Sequence, residues 1–343
     1  MKTASPSLEE WRELYDAALQ FKELKPWEWM LDSDIFGVQN PFTGEVGYCC
    51  IMGNLGEVFA LAVYLGTDGL EGYLKIQSQE VTAEKDIMEA FTAQKCLMAS
   101  FEEREVLQKP DLEVIKKLGL KFRGKKEWPS FRSYRPGYFP WYLTRDEAKF
   151  LTLALQQTVM FARRFQENSD MLVPQNPNQY LVRVPEKTKE GWIWRDEWQE
   201  PSPLDEEEIA ETLDEDRVQR AQKKVGRKGG TWEVDLFYVS AAVKEKTDER
   251  PYYPLIFMFV DHHSGLILNP DFMQSAPSRS DIQKRFLNFI ENIGFMPNEI
   301  LVKREKVFDP LEPIASKLGI RLKQVTKLKM LDEARSAMES FLG

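Results

Sequence analysis

Apolar residues recur at two periods along this chain, and the change of period divides it into elements. Over 7–24, SLEEWRELYDAALQFKEL, they fall three and four apart. That spacing predicts an amphipathic helix capped by Ser7, with Glu10 completing a capping box. The next stretch, DIFGVQNPFTGEVGYCCIMGNLGEVFALAVYLG, is punctuated by Asn-Pro, Thr-Gly and Asn-Leu-Gly. It predicts three strands with turns between them. Helices are expected at 67–77 and 83–93, a strand at 96–104, and helices near 111–118 and 144–167. YLVRVPE and GWIWRDEW add two strands. The region over 1–200 therefore reads as α+β, in one body or two lobes, without an internal repeat.

A break in charge follows. Residues 205–216 hold eight acids and 217–228 six bases, before Gly229-Gly230. Segregated charge of this kind predicts a solvated linker or helix with a flexible joint over 201–230, not a core element. Beyond it, strands are expected at 231–243, 253–261 and 265–272. A helix follows, capped at Ser280/Asp281 and stopped by Gly294. A strand at 299–308, a helix at 310–319, a strand at 320–326 and a terminal helix complete the chain. The order β-β-β-α-β-α-β-α predicts an α/β domain over 231–343: a five-stranded mixed sheet, with right-handed crossovers placing helices on both faces.

Composition narrows the function classes. Of 343 residues 43% are hydrophobic, nine of them tryptophan, which is enough for two sizeable cores. The first residues lack the apolar run of a signal peptide, and no run approaches the roughly 20 residues of a membrane span. A cytoplasmic protein without a membrane partner is expected. The net charge of −9 argues against a basic nucleic-acid-binding domain. Cys49, Cys50 and Cys96 form no disulfide framework, and in GYCCIM they read as buried fillers. Two histidines nearly exclude a histidine zinc site, so any metal would be a hard cation on carboxylates.

Those histidines lie side by side in PLIFMFVDHHSGLIL, 254–268. Asp261-His262-His263-Ser264-Gly265 reads as the turn between the second and third strands, since Asp and Gly supply turn chemistry. A different local chemistry stands at 121–145, where seven bases interleave with eight aromatics and three prolines. Single-stranded nucleic acid would use such a stretch, with Arg132, Arg135 and Trp141 as contacts. The plainer reading is a proline-rich loop whose rings pack inward while its arginines stay solvated. Trp27 and Trp29 read as core anchors.

The last third resembles the ribonuclease H-like fold, and in detail the catalytic core of retroviral-type integrases and transposases. The resemblance rests on Trp232-x-x-Asp235, the apolar second strand ending in Asp261, the serine-glycine turn, Pro297-x-x-Ile300 and Leu318-Gly-Ile320. The whole chain also resembles a family of uncharacterised bacterial proteins built from two domains of unknown function. In the active enzymes, the resemblance implies, three carboxylates hold two divalent metals about 3.5–4 Å apart. Asp235 matches the first and Glu333 the third. The second should close the fourth strand, where LVKREKVFD places Lys303 and Arg304 instead. A cation there would repel metals and could pair with Asp235.

The expectation is therefore a degenerate nuclease-like fold serving as a non-catalytic binding or scaffold protein, without a cofactor and with its partner unspecified. The alternative is a nuclease dependent on Mg or Mn, using Asp235, Glu333 and either Asp261 or Asp309. A second alternative is a single-stranded nucleic-acid-binding module acting through 121–145.

Overall fold

The computed structural model describes residues 4–78, 84–174, 176–189, 191–203, 215–246, 249–274 and 276–342. The chain divides into two units. The first comprises Met1–Glu84, Ala93–Pro136 and Pro140–Leu204; the second comprises Lys85–Thr92, Gly137–Phe139 and Asp205–Gly343. The second unit thus recruits two short pieces of the N-terminal sequence.

In the first unit, α1 (Leu8–Leu24) opens with the expected Ser7–Glu10 capping box. The strands β1 (Phe36–Gln39), β2 (Val46–Met52) and β3 (Phe59–Leu65) follow, then α2 (Gly66–Gln77). After α3 (Glu84–Thr92), which belongs to the second unit from Lys85 on, come β4 (Cys96–Glu102), α4 (Lys109–Leu118), β5 (Trp128–Tyr134) and α5 (Arg145–Glu167). The unit closes with β6 (Tyr180–Thr188) and β7 (Gly191–Gln199). Together they form a seven-stranded sheet, ordered β5-β4-β3-β2-β1-β6-β7. Its pairs are antiparallel except β1 with β6. Helices α1 and α5 bury Leu14, Phe21, Leu151 and Phe161 against one face, where Phe161 stacks on Phe36 at 3.9 Å. The helix α5 packs close enough that a Cβ on Gly47 would meet a Phe150 ring carbon at 2.9 Å. Trp27 is buried in this core, and the Trp29 indole donates to the Ala162 carbonyl at 3.1 Å, so both are anchors.

β5 corrects the reading of 121–145 as a loop. Residues 128–134 pair with β4 along its full length, and Phe131 enters the core. Trp128, Phe131 and Tyr134 are aromatic residues of the kind enriched in strands. Pro129 is compatible because β5 lies at the sheet edge, where a missing N–H breaks no ladder.

The second unit begins, beyond the recruited pieces, with α6 (Glu215–Lys224) and the two-residue β8 (Arg227–Lys228). Then come β9 (Thr231–Tyr238), β10 (Leu255–Asp261), β11 (Ile267–Met273), α7 (Arg279–Ile293) and β12 (Phe295–Met296). It ends with β13 (Glu299–Val302), α8 (Glu305–Lys317), β14 (Arg321–Gln324) and α9 (Lys329–Leu342). The main sheet is ordered β11-β10-β9-β13-β14. β9, β10 and β11 run antiparallel in sequence, whereas β13 is parallel to both β9 and β14. Trp232, Phe257, Phe259, Phe286 and Leu311 fill the core shared with α7 and α8. Phe237, Ile256, Met258 and Leu331 fill the core on the α9 face.

Four boundaries differ from expectation, one of them the end of β9, which falls at Tyr238 and not at 243. The stretch 201–230, expected as a solvated linker or helix outside the core, holds the helix α6, but Val218 and Ala221 of that helix are buried in the core and β8 pairs with β12. Charge segregation masked two apolar positions one turn apart; residues 204–214 of that stretch lie outside the described residues. The fourth strand ends at Val302, not 308, because Val307, Leu311 and Ile314 sit at helical spacing and face the core. The cap of α7 is Ser278, whose hydroxyl accepts from the Asp281 amide at 3.2 Å, two residues before the expected cap. No helix among the described residues is long and apolar enough to cross a membrane.

Candidate functional site

Side chains alternate across a strand, so β9 sends Trp232, Val234 and Leu236 to one face and Glu233, Asp235 and Phe237 to the other. TWEVDLFY therefore places two carboxylates in the middle of a sheet, and both are buried, with Asp235 only 4% exposed. Charged groups at such positions require partners.

Asp235 is partnered incompletely. The Nε of Arg304, just past β13, lies 3.6 Å from its Oδ2, while Oδ1 is buried without any hydrogen-bond partner. Burial pushes the Asp235 carboxyl above the ordinary aspartate value, against the opposing pull of Arg304 and Lys306. The other edge of the Arg304 fork is better satisfied. Its Nη1 donates to the Leu236 carbonyl at 3.1 Å and pairs with Oε2 of Glu89 at 2.5 Å. Glu89, on α3, also pairs with Lys306. Burial alone would raise the Glu89 carboxyl, but Lys306 and Arg304 outweigh it and hold it below the ordinary glutamate value.

The helix α9 adds a further cation. Arg335 is buried, with its guanidinium 4.5 Å from the Phe237 ring centroid and its Nε donating to Glu339 at 2.9 Å. Glu333, two residues earlier, is exposed. The face of α9 turned to the sheet thus carries Leu331 and Arg335, not the glutamate.

Asp261 and Asp309 also stand apart from Asp235. Asp261 pairs in register with Trp232, three residues along β9, which is about 10 Å at the usual rise. Its Oδ1 accepts from the His263 amide at 3.2 Å and from the amide and hydroxyl of Ser264 at 2.8 Å each. Gly265 follows at φ 70°, so 261–265 is the turn that the sequence predicts. Asp309 is exposed on α8, which packs on the opposite face of the sheet from α9.

The second buried carboxylate on β9 has a distinct role. Glu233 Oε2 accepts from the Leu331 amide at 2.8 Å in the first turn of α9, and its Oε1 meets His262 Nδ1 at 2.6 Å. One carboxylate thereby caps a helix and orients a histidine.

In the first unit, Arg132 and Arg135 are each paired. Arg132 forks onto Asp111 at 2.9 and 2.6 Å and lies over the Tyr142 ring, and Arg135 donates to Glu147 at 2.8 Å. The expectation of solvated arginines is corrected for Arg132, most of whose side chain is enclosed. Trp141 forms a bridge with Ser133 and packs edge-on to Tyr142. The three cysteines are buried, which pushes the Cys49 thiol up to about 12.

A two-metal centre needs converging carboxylates, and the donor set here does not fit one. The acid with an unpaired oxygen faces a guanidinium, and no three His, Cys, Asp or Glu side chains among the described residues are grouped to hold an ion. Reasoning from sequence missed Glu89, Glu233 and Arg335. Glu233 had a signal, as a charge at alternate spacing with Asp235 inside an apolar strand; Glu89 had none.

A family model described as a domain of unknown function, DUF7309, matches residues 11–183, and another, DUF6930, matches 217–339. No curated protein matches the chain. Among solved structures, the HTLV-2 integrase catalytic core domain in complex with magnesium, in its dimeric form, is similar at 16% identity. That match covers 33% of this chain and 68% of the integrase chain, with a TM-score of 0.25. The simian T-cell lymphotropic virus intasome in complex with PP2A regulatory subunit B56 gamma matches at 14% identity. It covers 33% of this chain and 39% of the other, with a TM-score of 0.27.

Proposed function

The chain belongs to the DUF7309 family of unknown function, and on that premise we propose that its second unit is a degenerate ribonuclease H-like domain that binds or scaffolds instead of cutting. Three antiparallel strands followed by two parallel ones, with helices on both faces, support the fold. One observation carries the functional part: the Arg304 guanidinium lies between Glu89 and Asp235. A divalent metal bound beside Asp235 would face a fixed positive charge at ion-pair distance, and repulsion of that kind disfavours binding. The exposed position of Glu333 supports the same reading.

The test uses the full chain with single-stranded and duplex DNA and RNA, in Mg²⁺ or Mn²⁺. The expected result is no cleavage above buffer and no change of melting temperature with either metal. Metal-dependent cleavage that disappears in Asp235→Asn would overturn the proposal.

A further inference from the structure

We propose that the cage around Arg304 is a guanidinium-binding site which the protein fills with its own side chain. Three oxygens from two places in the sequence surround one planar fork: Glu89 Oε2 and the Leu236 carbonyl within hydrogen-bond distance, and Asp235 Oδ2 at ion-pair distance, 3.6 Å away. They contact different nitrogens, Asp235 on the Nε side and the other two on Nη1. Acceptors spread along a planar, multi-donor cation are what guanidinium recognition requires. A bare divalent ion would instead draw oxygens to about 2.0–2.6 Å around a point. The unpartnered Asp235 Oδ1 shows that the cage has acceptor capacity beyond what Arg304 uses.

The walls of the cage do not depend on Arg304. Asp235 and Leu236 are held in β9 by pairing with Met258 and Phe257 of β10, while the pairing with β13 ends at Val234. Glu89 keeps its second partner, Lys306. Removing the Arg304 side chain should leave a preformed anionic pocket, reached from the Glu89 side, which is one-third exposed. The ligand class is a guanidinium group, whether free guanidinium or an alkylguanidinium such as the arginine side chain.

This deepens the preceding proposal and rests on the same ion network. Its test measures binding to Arg304 variants, whereas cleavage by the wild-type chain decides the other. Full-length Arg304→Ala should melt below wild type, and millimolar guanidinium or methylguanidinium should raise its melting temperature saturably against matched sodium chloride. Wild type and the double variant Arg304→Ala/Glu89→Gln should show no such rise. Should Arg304→Ala not fold, Arg304→Gln takes the same titration. No saturable response in the variant, or a response to Mn²⁺ alone, would overturn the proposal.

Discussion

The side chains of Arg304 and Asp235 form a lopsided ion pair: one carboxylate oxygen lies 3.6 Å from the guanidinium, and the other is buried with no partner. Arg304 is drawn toward Glu89, 2.5 Å away, and leaves Asp235 as the weaker claimant. Burial raises both carboxyls, but the cations outweigh it only at Glu89, so Asp235 ends above its ordinary value and Glu89 below. That difference can be measured.

For Asp235, the folded value lies above 3.8, so the stability associated with its proton is complete below 3.8 and is lost as pH rises through the folded value. Asparagine mimics the protonated form. Asp235→Asn should therefore be more stable than wild type at neutral pH, by on the order of 1 kcal/mol. The gap should close as the pH approaches 3.8. Urea melts across a pH series would measure it, and a wild type more stable than the variant at pH 7 contradicts the assignment.

Glu89 should behave with the reverse sign. Its folded value lies below 4.5, so its contribution is present above 4.5 and is lost as pH falls through the folded value. Glu89→Gln should destabilise at neutral pH, with the deficit shrinking in acid. The same pH series compares the two variants directly, and a deficit that grows on acidification would refute the pairing with Arg304 and Lys306.

Much of this arrangement was legible before any coordinates, and the part that was not has a physical reason. The turn at Asp261–Gly265, the stop at Gly294 and the order of strands depend on neighbouring residues, so short-range pattern reveals them. Arg304 was visible as a cation just after the fourth strand, within reach of Asp235. Glu89 was not, since it lies 217 residues from Lys306 and nothing local marks it. The start of α8 was misread because the charged run 303–306 shows neither period, and only Val307, Leu311 and Ile314 together reveal the helical one. Arg132 seemed solvated because its partner Asp111 comes from another element, 21 residues earlier.

That pairing yields a prediction about stability. The Arg132 fork on Asp111 is largely enclosed, and charge-assisted bidentate bonds of this kind are among the stronger ones. Arg132→Ala should destabilise the protein by roughly 2 kcal/mol. Arg132→Lys should recover only part of the loss, because an ammonium cannot fork. Denaturant unfolding measures both; a loss under about 0.5 kcal/mol for alanine would place this pair with ordinary solvated surface bridges.

Glu233 should act chiefly through α9. Its carboxylate takes the Leu331 amide at 2.8 Å in a fully buried setting, where an N–H without an acceptor is expensive. Glu233→Ala should lower stability by about 1–3 kcal/mol. Hydrogen exchange should accelerate first at Leu331 and its neighbours in the opening turn of α9. Glu233→Gln retains an acceptor and should preserve most of that protection, while His262→Ala, which leaves the Leu331 bond intact, should alter it little. Unchanged exchange at Leu331 in Glu233→Ala would mean that the helix start is held by something other than this carboxylate.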